Sequence, residues 1–110
     1  PYSAHLREEL IQKARELSLP VFEEATYGIT QGPRFETRAE IARLATDGCH
    51  LVGMTGMPEA ALARELELDY ACIAMVIRKA ADDSTPVDTT RLDASDSIVE
   101  RLVEAIILGS

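Results

Sequence analysis

The sequence has no tryptophan, few aromatics and few cations, and each shortage removes a class of function. Lys and Arg number 11 against 19 Asp and Glu, for a formal net charge of -8. Nucleic-acid binding needs clustered Lys and Arg, so the charge argues against that class and against an acidic membrane surface. No apolar run approaches the roughly 20 residues of a membrane span, and no signal peptide is visible. Only two cysteines occur, Cys49 and Cys72, each inside an apolar run. Two isolated cysteines make neither a zinc site nor a disulfide framework, and they point to a reducing cytoplasm. A Gly-x-Ser-x-Gly elbow, a Walker-type phosphate loop and a paired His/Cys cluster are all missing. Positioning and electrostatics therefore have to carry any chemistry sited here.

What is present is an aliphatic chain with helix and strand punctuation. A hydrophobic fraction of 46% in 110 residues suits one domain or part of a larger one. The start at Pro1 leads us to expect a segment of a longer protein. Residues 3–18 read as a helix: Ser3 is an N-cap, Leu6, Leu10, Ala14 and Leu17 recur at helical spacing, and Glu9 and Lys13 form a surface pair. Residues 21–30 read as a strand. Thr37-Arg38-Ala39-Glu40 fits a capping box, followed by a stripe of Ile41, Leu44 and Ala45 and a closing Gly48. Residues 49–54 read as a short apolar strand, and Pro58 suits the first turn of the next helix, whose buried face runs through residues 60–66. Residues 70–77 are almost unbroken apolar sequence, the mark of a strand covered on both faces. A polar loop and a last helix from Ser95 complete the reading. The order α-β-α-β-α-β implies parallel neighbours joined by right-handed crossovers, hence an α/β fold.

Ligands of open α/β sheets bind at the carboxyl ends of the strands. All three expected strands end in unusual sequence: Thr30-Gln31-Gly32-Pro33-Arg34, Gly53-Met54-Thr55-Gly56 and Ile77-Arg78-Lys79. The first two run into helix starts, where free backbone N–H groups favour anions. Phe35 reads either as a core plug or as a flat wall for a planar ligand. Glu36 reads either as a helix-dipole carboxylate or as an acceptor for a ligand N–H. Thr55 is either a turn hydroxyl or an oxyanion contact, and Met54 either core or the lining of an adaptable pocket.

At these residues the chain resembles the purine nucleoside phosphorylase and methylthioadenosine phosphorylase family, in detail its bacterial methylthioinosine phosphorylase-like members. The resemblance is carried by Thr30-Gln31-Gly32-Pro33-Arg34-Phe35-Glu36-Thr37-Arg38-Ala39-Glu40, by Asp47-Gly48-Cys49-His50-Leu51-Val52-Gly53-Met54-Thr55-Gly56-Met57-Pro58-Glu59-Ala60, and by the run from Ala63 to Cys72. It implies a three-layer sandwich with a mixed, largely parallel sheet flanked by helices, of which residues 1–110 form a single C-terminal segment. It implies phosphorolysis of a purine nucleoside to free purine and pentose 1-phosphate, with phosphate as co-substrate and no other cofactor, in a cytoplasmic trimer of purine salvage. Carried over residue by residue, Phe35 packs on base and sugar, and Glu36 faces the base edge, suiting a ring N1–H. Val52 lines the base pocket, Met54 lies under the ribose, and Thr55 bonds phosphate. Arg78 stands where the family usually has Asn or Asp for the purine N7, so no catalytic residue is assigned. Ile77 replaces a frequent hydroxyl residue. Val87 or Leu92 would face a methylthio group. The family's phosphate loop, with its Arg and His, belongs to the other half, so these residues alone are expected to bind weakly and turn over nothing. The alternative reading is a non-catalytic nucleoside-binding or assembly module.

Overall fold

The computed structural model describes residues 1–80 and Arg101. Within them the order is α1 (Ala4–Glu16), β1 (Tyr27–Ile29), α2 (Arg38–Thr46), β2 (Leu51–Gly53) and α3 (Glu59–Glu65). Helices alternate with strands and the strands pair in parallel, as the α/β class requires. The expected helix from Ser95 and the residues Val87 and Leu92 lie outside the described residues.

Helix α1 begins at Ser3, whose hydroxyl accepts the Leu6 N–H at 3.3 Å and so satisfies one of the orphan amides of the first turn. It buries Ile11 and Ala14, while Leu6, Leu10 and Leu17 are half-buried. Lys13 pairs with Glu16 at 3.2 Å rather than with Glu9. Two arginines tie α1 to the chain that follows it. Arg7 donates to the Glu23 carbonyl at 2.6 Å and sits 3.5 Å from the Glu24 carboxylate, and Arg15 pairs with the Glu23 carboxylate.

The segment after these ties brings one correction. Residues 21–30 form a strand only over Tyr27–Ile29, and Phe22 is fully exposed. Backbone is strand only where a neighbour supplies the ladder. The neighbour, β2, offers three register positions: Tyr27 with Leu51, Gly28 with Val52, and Ile29 with Gly53. It is itself shorter than expected. The Cys49 N–H turns back to the Leu44 carbonyl (3.0 Å), completing the end of α2. His50 joins the start of the ladder through its side chain: its Nδ1 accepts the Thr26 N–H at 2.9 Å, while its own N–H donates to the Thr26 carbonyl at 2.9 Å.

Helix α2 carries the expected capping box. The Thr37 hydroxyl accepts the Glu40 N–H (3.2 Å), and the Glu40 carboxylate accepts the Thr37 N–H (2.6 Å). Gly48, at φ 89°, supplies the left-handed residue that ends it. Its apolar stripe is covered less than its spacing implies: Ile41 and Leu44 are half-buried and Ala45 is exposed. In α3, Ala60 and Ala63 are buried, whereas Leu62 and Leu66 face outward. Pro58 is the N-cap residue of α3, one position before the first turn.

The largest correction concerns residues 70–77, which form no strand. The sheet among the described residues is the pair β1-β2, with no antiparallel member. Tyr70 is anchored, since its carbonyl accepts the Ser3 N–H (2.8 Å) and its ring stacks on Tyr2 at 6.0 Å. Beyond it Ile73, Met75 and Val76 are exposed. Their apolar character makes burial favourable but supplies neither a ladder partner nor a covering layer.

Candidate active site

The parallel register brings the carboxyl ends of β1 and β2 to one edge. The Thr30 N–H extends the ladder to the Gly53 carbonyl at 2.9 Å. Both special corners leave from here, residues 30–37 toward α2 and residues 54–58 toward α3. They touch: a Cβ on Gly32 would sit 2.9 Å from the Met54 Sδ, so any larger residue there would make the Met54 side chain shift.

Each corner is fastened by a β1 side chain. The Tyr27 hydroxyl lies 3.2 Å from the Thr55 Oγ1. Its ring covers Gly53 so closely that a Cβ there would collide with it. The Thr30 hydroxyl donates to Glu36 Oε1 and lies 3.4 Å from the Gly53 carbonyl oxygen. Neither Tyr27 nor Thr30 was picked out as a site residue from the sequence. The available signal was position alone, a hydroxyl residue within or just past a strand that ends in a ligand-type corner.

The candidate residues stand at these corners in different settings. Phe35 is 57% exposed, so it does not plug the core. Helix capping at α2 is done by Thr37 and Glu40, which leaves the half-buried Glu36 carboxylate out of the cap. Thr55 is exposed with its hydroxyl held by Tyr27, and half-buried Met54 fills the seam against Gly32. Val52 pairs with Gly28. A Cβ on Gly28 would meet Cys49 and Leu44. By strand alternation Val52 therefore belongs to the α2 side of the pair and Tyr27 to the other.

Two arginines stand at the aromatic corner in different states. Arg34 grips Glu40 through both nitrogens, at 2.7 and 2.9 Å. That grip, aided by the Thr37 hydrogen bonds, holds the Glu40 carboxyl down at about 2. Arg78 instead lies over the Phe35 ring, its guanidinium carbon 3.8 Å from the ring centroid. Although the expected third strand is absent, its end still reaches the site. A shallow cavity of about 470 Å³, lined by Arg7, Glu24, Ala25, Thr26 and His50, lies at the amino ends of the strands and is separate from this site. Among the described residues no cluster of His, Cys, Asp and Glu could hold a metal, and no helix is long and apolar enough to cross a membrane.

The sequence profile of the phosphorylase superfamily matches residues 1–108. The chain belongs to the phosphorylase superfamily. Within that superfamily it is 56% identical over 89 residues to a probable S-methyl-5'-thioinosine phosphorylase of Pseudomonas syringae pv. tomato, covering 81% of this chain and 36% of that protein. It is 45% identical over 114 residues to the 6-oxopurine nucleoside phosphorylase of Pyrococcus furiosus, covering 98% of this chain and 43% of that one. A solved methylthioadenosine phosphorylase from Schistosoma mansoni, in complex with adenine, superposes with a TM-score of 0.84 at 31% identity, over 98% of this chain and 45% of that chain. The chain thus spans less than half the length of these curated relatives. Superfamily membership agrees with the α/β class read from the sequence and with the fold implied by the motifs around Phe35 and Thr55.

Proposed function

We propose that these residues form part of the site of a purine nucleoside phosphorylase acting on a 6-oxopurine nucleoside or a 5'-methylthionucleoside. The observation that carries the reading is the meeting of two corners at one strand edge, with Gly32 against Met54. An aromatic face and a carboxylate stand on one side of that seam, a thioether and a hydroxyl on the other. Relatives named as methylthioinosine and 6-oxopurine nucleoside phosphorylases support it. In this reading Phe35 stacks on the base, Glu36 accepts from its N1–H, and Val52 walls the pocket. Met54 underlies the ribose, and Thr55 donates to phosphate. A phosphate oxygen forms a bond to the sugar C1' as the bond from C1' to the purine nitrogen breaks. The electron pair leaves with the base, and no covalent bond to the protein forms. Phosphate is the co-substrate, and a cytoplasmic trimer serving purine salvage accompanies the reading.

The pre-set hydrogen bonds explain why such a site would work by positioning. Thr30 fixes Glu36 and Tyr27 fixes Thr55 before any ligand arrives, so less ordering remains to be done on binding. The test measures hypoxanthine binding in the presence of phosphate through the thermal midpoint, because a ligand that prefers the folded form raises stability. A shift that grows with ligand concentration, and binding weakened about tenfold by Phe35→Ala, is the expected outcome; base–aromatic stacking is worth about 1–3 kcal/mol. No shift at millimolar hypoxanthine in the whole protein would remove the reading. A second reading, a non-catalytic nucleoside-binding module, is favoured by Arg78 lying over Phe35. Phosphorolysis of inosine and methylthioinosine by the whole protein, with Arg78→Asn beside it, separates the two. Turnover by the whole protein supports the enzyme, and its absence in both forms supports the binding module.

A further inference from the structure

We propose that Arg34 is a positioning residue of this site, whose clamp on Glu40 holds the main chain around Phe35 in the form that receives a planar ligand. The inference rests on the purine reading above and adds a residue that acts through Phe35 rather than on the ligand. Phe35 is mostly exposed, so close packing does not fix the corner that carries it. Hydrogen bonds do. Arg34 Nη1 donates to the Phe35 carbonyl at 3.1 Å and to Glu40 Oε2 at 2.9 Å. The same Oε2 accepts the Thr37 N–H at 2.6 Å. One nitrogen and one oxygen thus bridge the peptide groups on both sides of residue 36. The second arm, from Nη2 to Glu40 Oε1 at 2.7 Å, sets the plane of the guanidinium.

An exposed ion pair ordinarily contributes little, because two long side chains must be ordered for a screened attraction. This pair has two advantages over an ordinary one. Its carboxylate is already ordered by the capping box of α2, through Thr37. Its guanidinium is a planar fork that meets the carboxylate with two bonds, a geometry that needs less ordering per hydrogen bond formed. The Glu40 carboxyl, held at about 2 chiefly by Arg34, stays ionised at neutral pH, so the charge that grips the fork is present there. The clamp carries the order of the helix start back over the corner. A ligand then meets a ring whose backbone is already placed, and less ordering remains on binding. Two substitutions take the clamp apart differently. Arg34→Lys keeps the charge but loses the fork. Glu40→Gln keeps an acceptor for the Thr37 N–H but loses the charge that holds the guanidinium.

The test is calorimetric titration of the whole protein with hypoxanthine in saturating phosphate, for the wild type, Arg34→Ala, Arg34→Lys and Glu40→Gln. Amide hydrogen exchange at residues 36 and 37 without ligand accompanies it, since exchange reports local opening. Arg34→Ala and Glu40→Gln are each expected to weaken hypoxanthine about three- to fivefold, the upper range for an exposed ion pair, and to speed exchange at both amides. Arg34→Lys should restore only part of the loss. In the Phe35→Ala background Arg34→Ala should weaken binding little further, because the two residues act as one unit. Equal fold-losses with and without the Phe35 ring overturn the proposal, since the guanidinium would then act elsewhere. A lowered thermal midpoint with unchanged affinity also overturns it, by making the pair a stability contact only. Should the alanine variant fail to fold by circular dichroism, Arg34→Lys and Glu40→Gln decide by the same criteria. If the wild type does not bind hypoxanthine, the purine reading itself falls and takes this inference with it. If it binds and the variants match it, only this inference falls.

Discussion

Residues 49–54 and residues 70–77 are both apolar runs that read as strands, yet only the first becomes one, over Leu51–Gly53. Leu51–Gly53 has a neighbour held in register from both ends: His50 clasps Thr26 at the start of the ladder, and Thr30 bonds Gly53 at its finish. Among the described residues, residues 70–77 are held at Tyr70, by Ser3 and Tyr2, and then run on with Ile73, Met75 and Val76 exposed. The contrast separates two properties that a hydrophobic run merges. Wanting burial is a property of the segment, whereas a ladder is a property of a pair of segments. The candidate site gathers where the pair exists, and receives Arg78 from the run that lacks one.

The comparison can be broken hardest at Gly53. Gly53→Ala puts a Cβ into the Tyr27 ring; overpacking of this kind costs about 1–3 kcal/mol. A lowered denaturation midpoint is expected, with Thr55 losing its Tyr27 contact. An unchanged midpoint would mean that the strand pair is looser than its geometry. Next comes Thr37→Ala, which removes the N-cap acceptor of the Glu40 N–H. The expected loss is about 1 kcal/mol in chemical denaturation.

A smaller effect follows from pH. The folded-state carboxyl of Glu40 is depressed to about 2 from 4.5, chiefly by Arg34. A depressed acid adds stability above its unfolded value and loses it as pH falls through the folded one. Stability should therefore decline between about pH 4.5 and pH 2, and Glu40→Gln should flatten that part of the profile. A profile unaltered by the substitution would show the clamp to be without thermodynamic weight. The smallest effect belongs to the unpaired run. Val76 is 67% exposed, so Val76→Ser should change stability by less than about 0.5 kcal/mol. A loss above 2 kcal/mol would show this segment to be covered in solution and would erase the contrast.

Legibility followed locality. The Ser3 cap, the Thr37 and Glu40 capping box and the left-handed Gly48 were all readable, because each is settled within a few residues by one hydrogen bond or one backbone angle. The candidate corners were readable as well, since Gly32, Phe35 and Thr55 sit in sequences that no regular element accommodates. Tyr27 was not, because its hydroxyl meets Thr55 across the strand pair, 28 positions away, nor was Thr30, whose hydroxyl joins Glu36, 6 positions on, to the Gly53 carbonyl across the pair. The length of β1 also escaped, because its partner, not its own composition, limits it.

Sequence by itself determined the order of the helices, the caps, and the residue types that stand at the two corners. Those follow from backbone sterics and short-range hydrogen bonds that each segment carries with it. Tertiary structure alone decided which runs pair, that Gly32 and Met54 close the seam, and that Arg78 comes to rest on Phe35. Such contacts depend on two distant segments arriving together, and neither segment encodes the other's position.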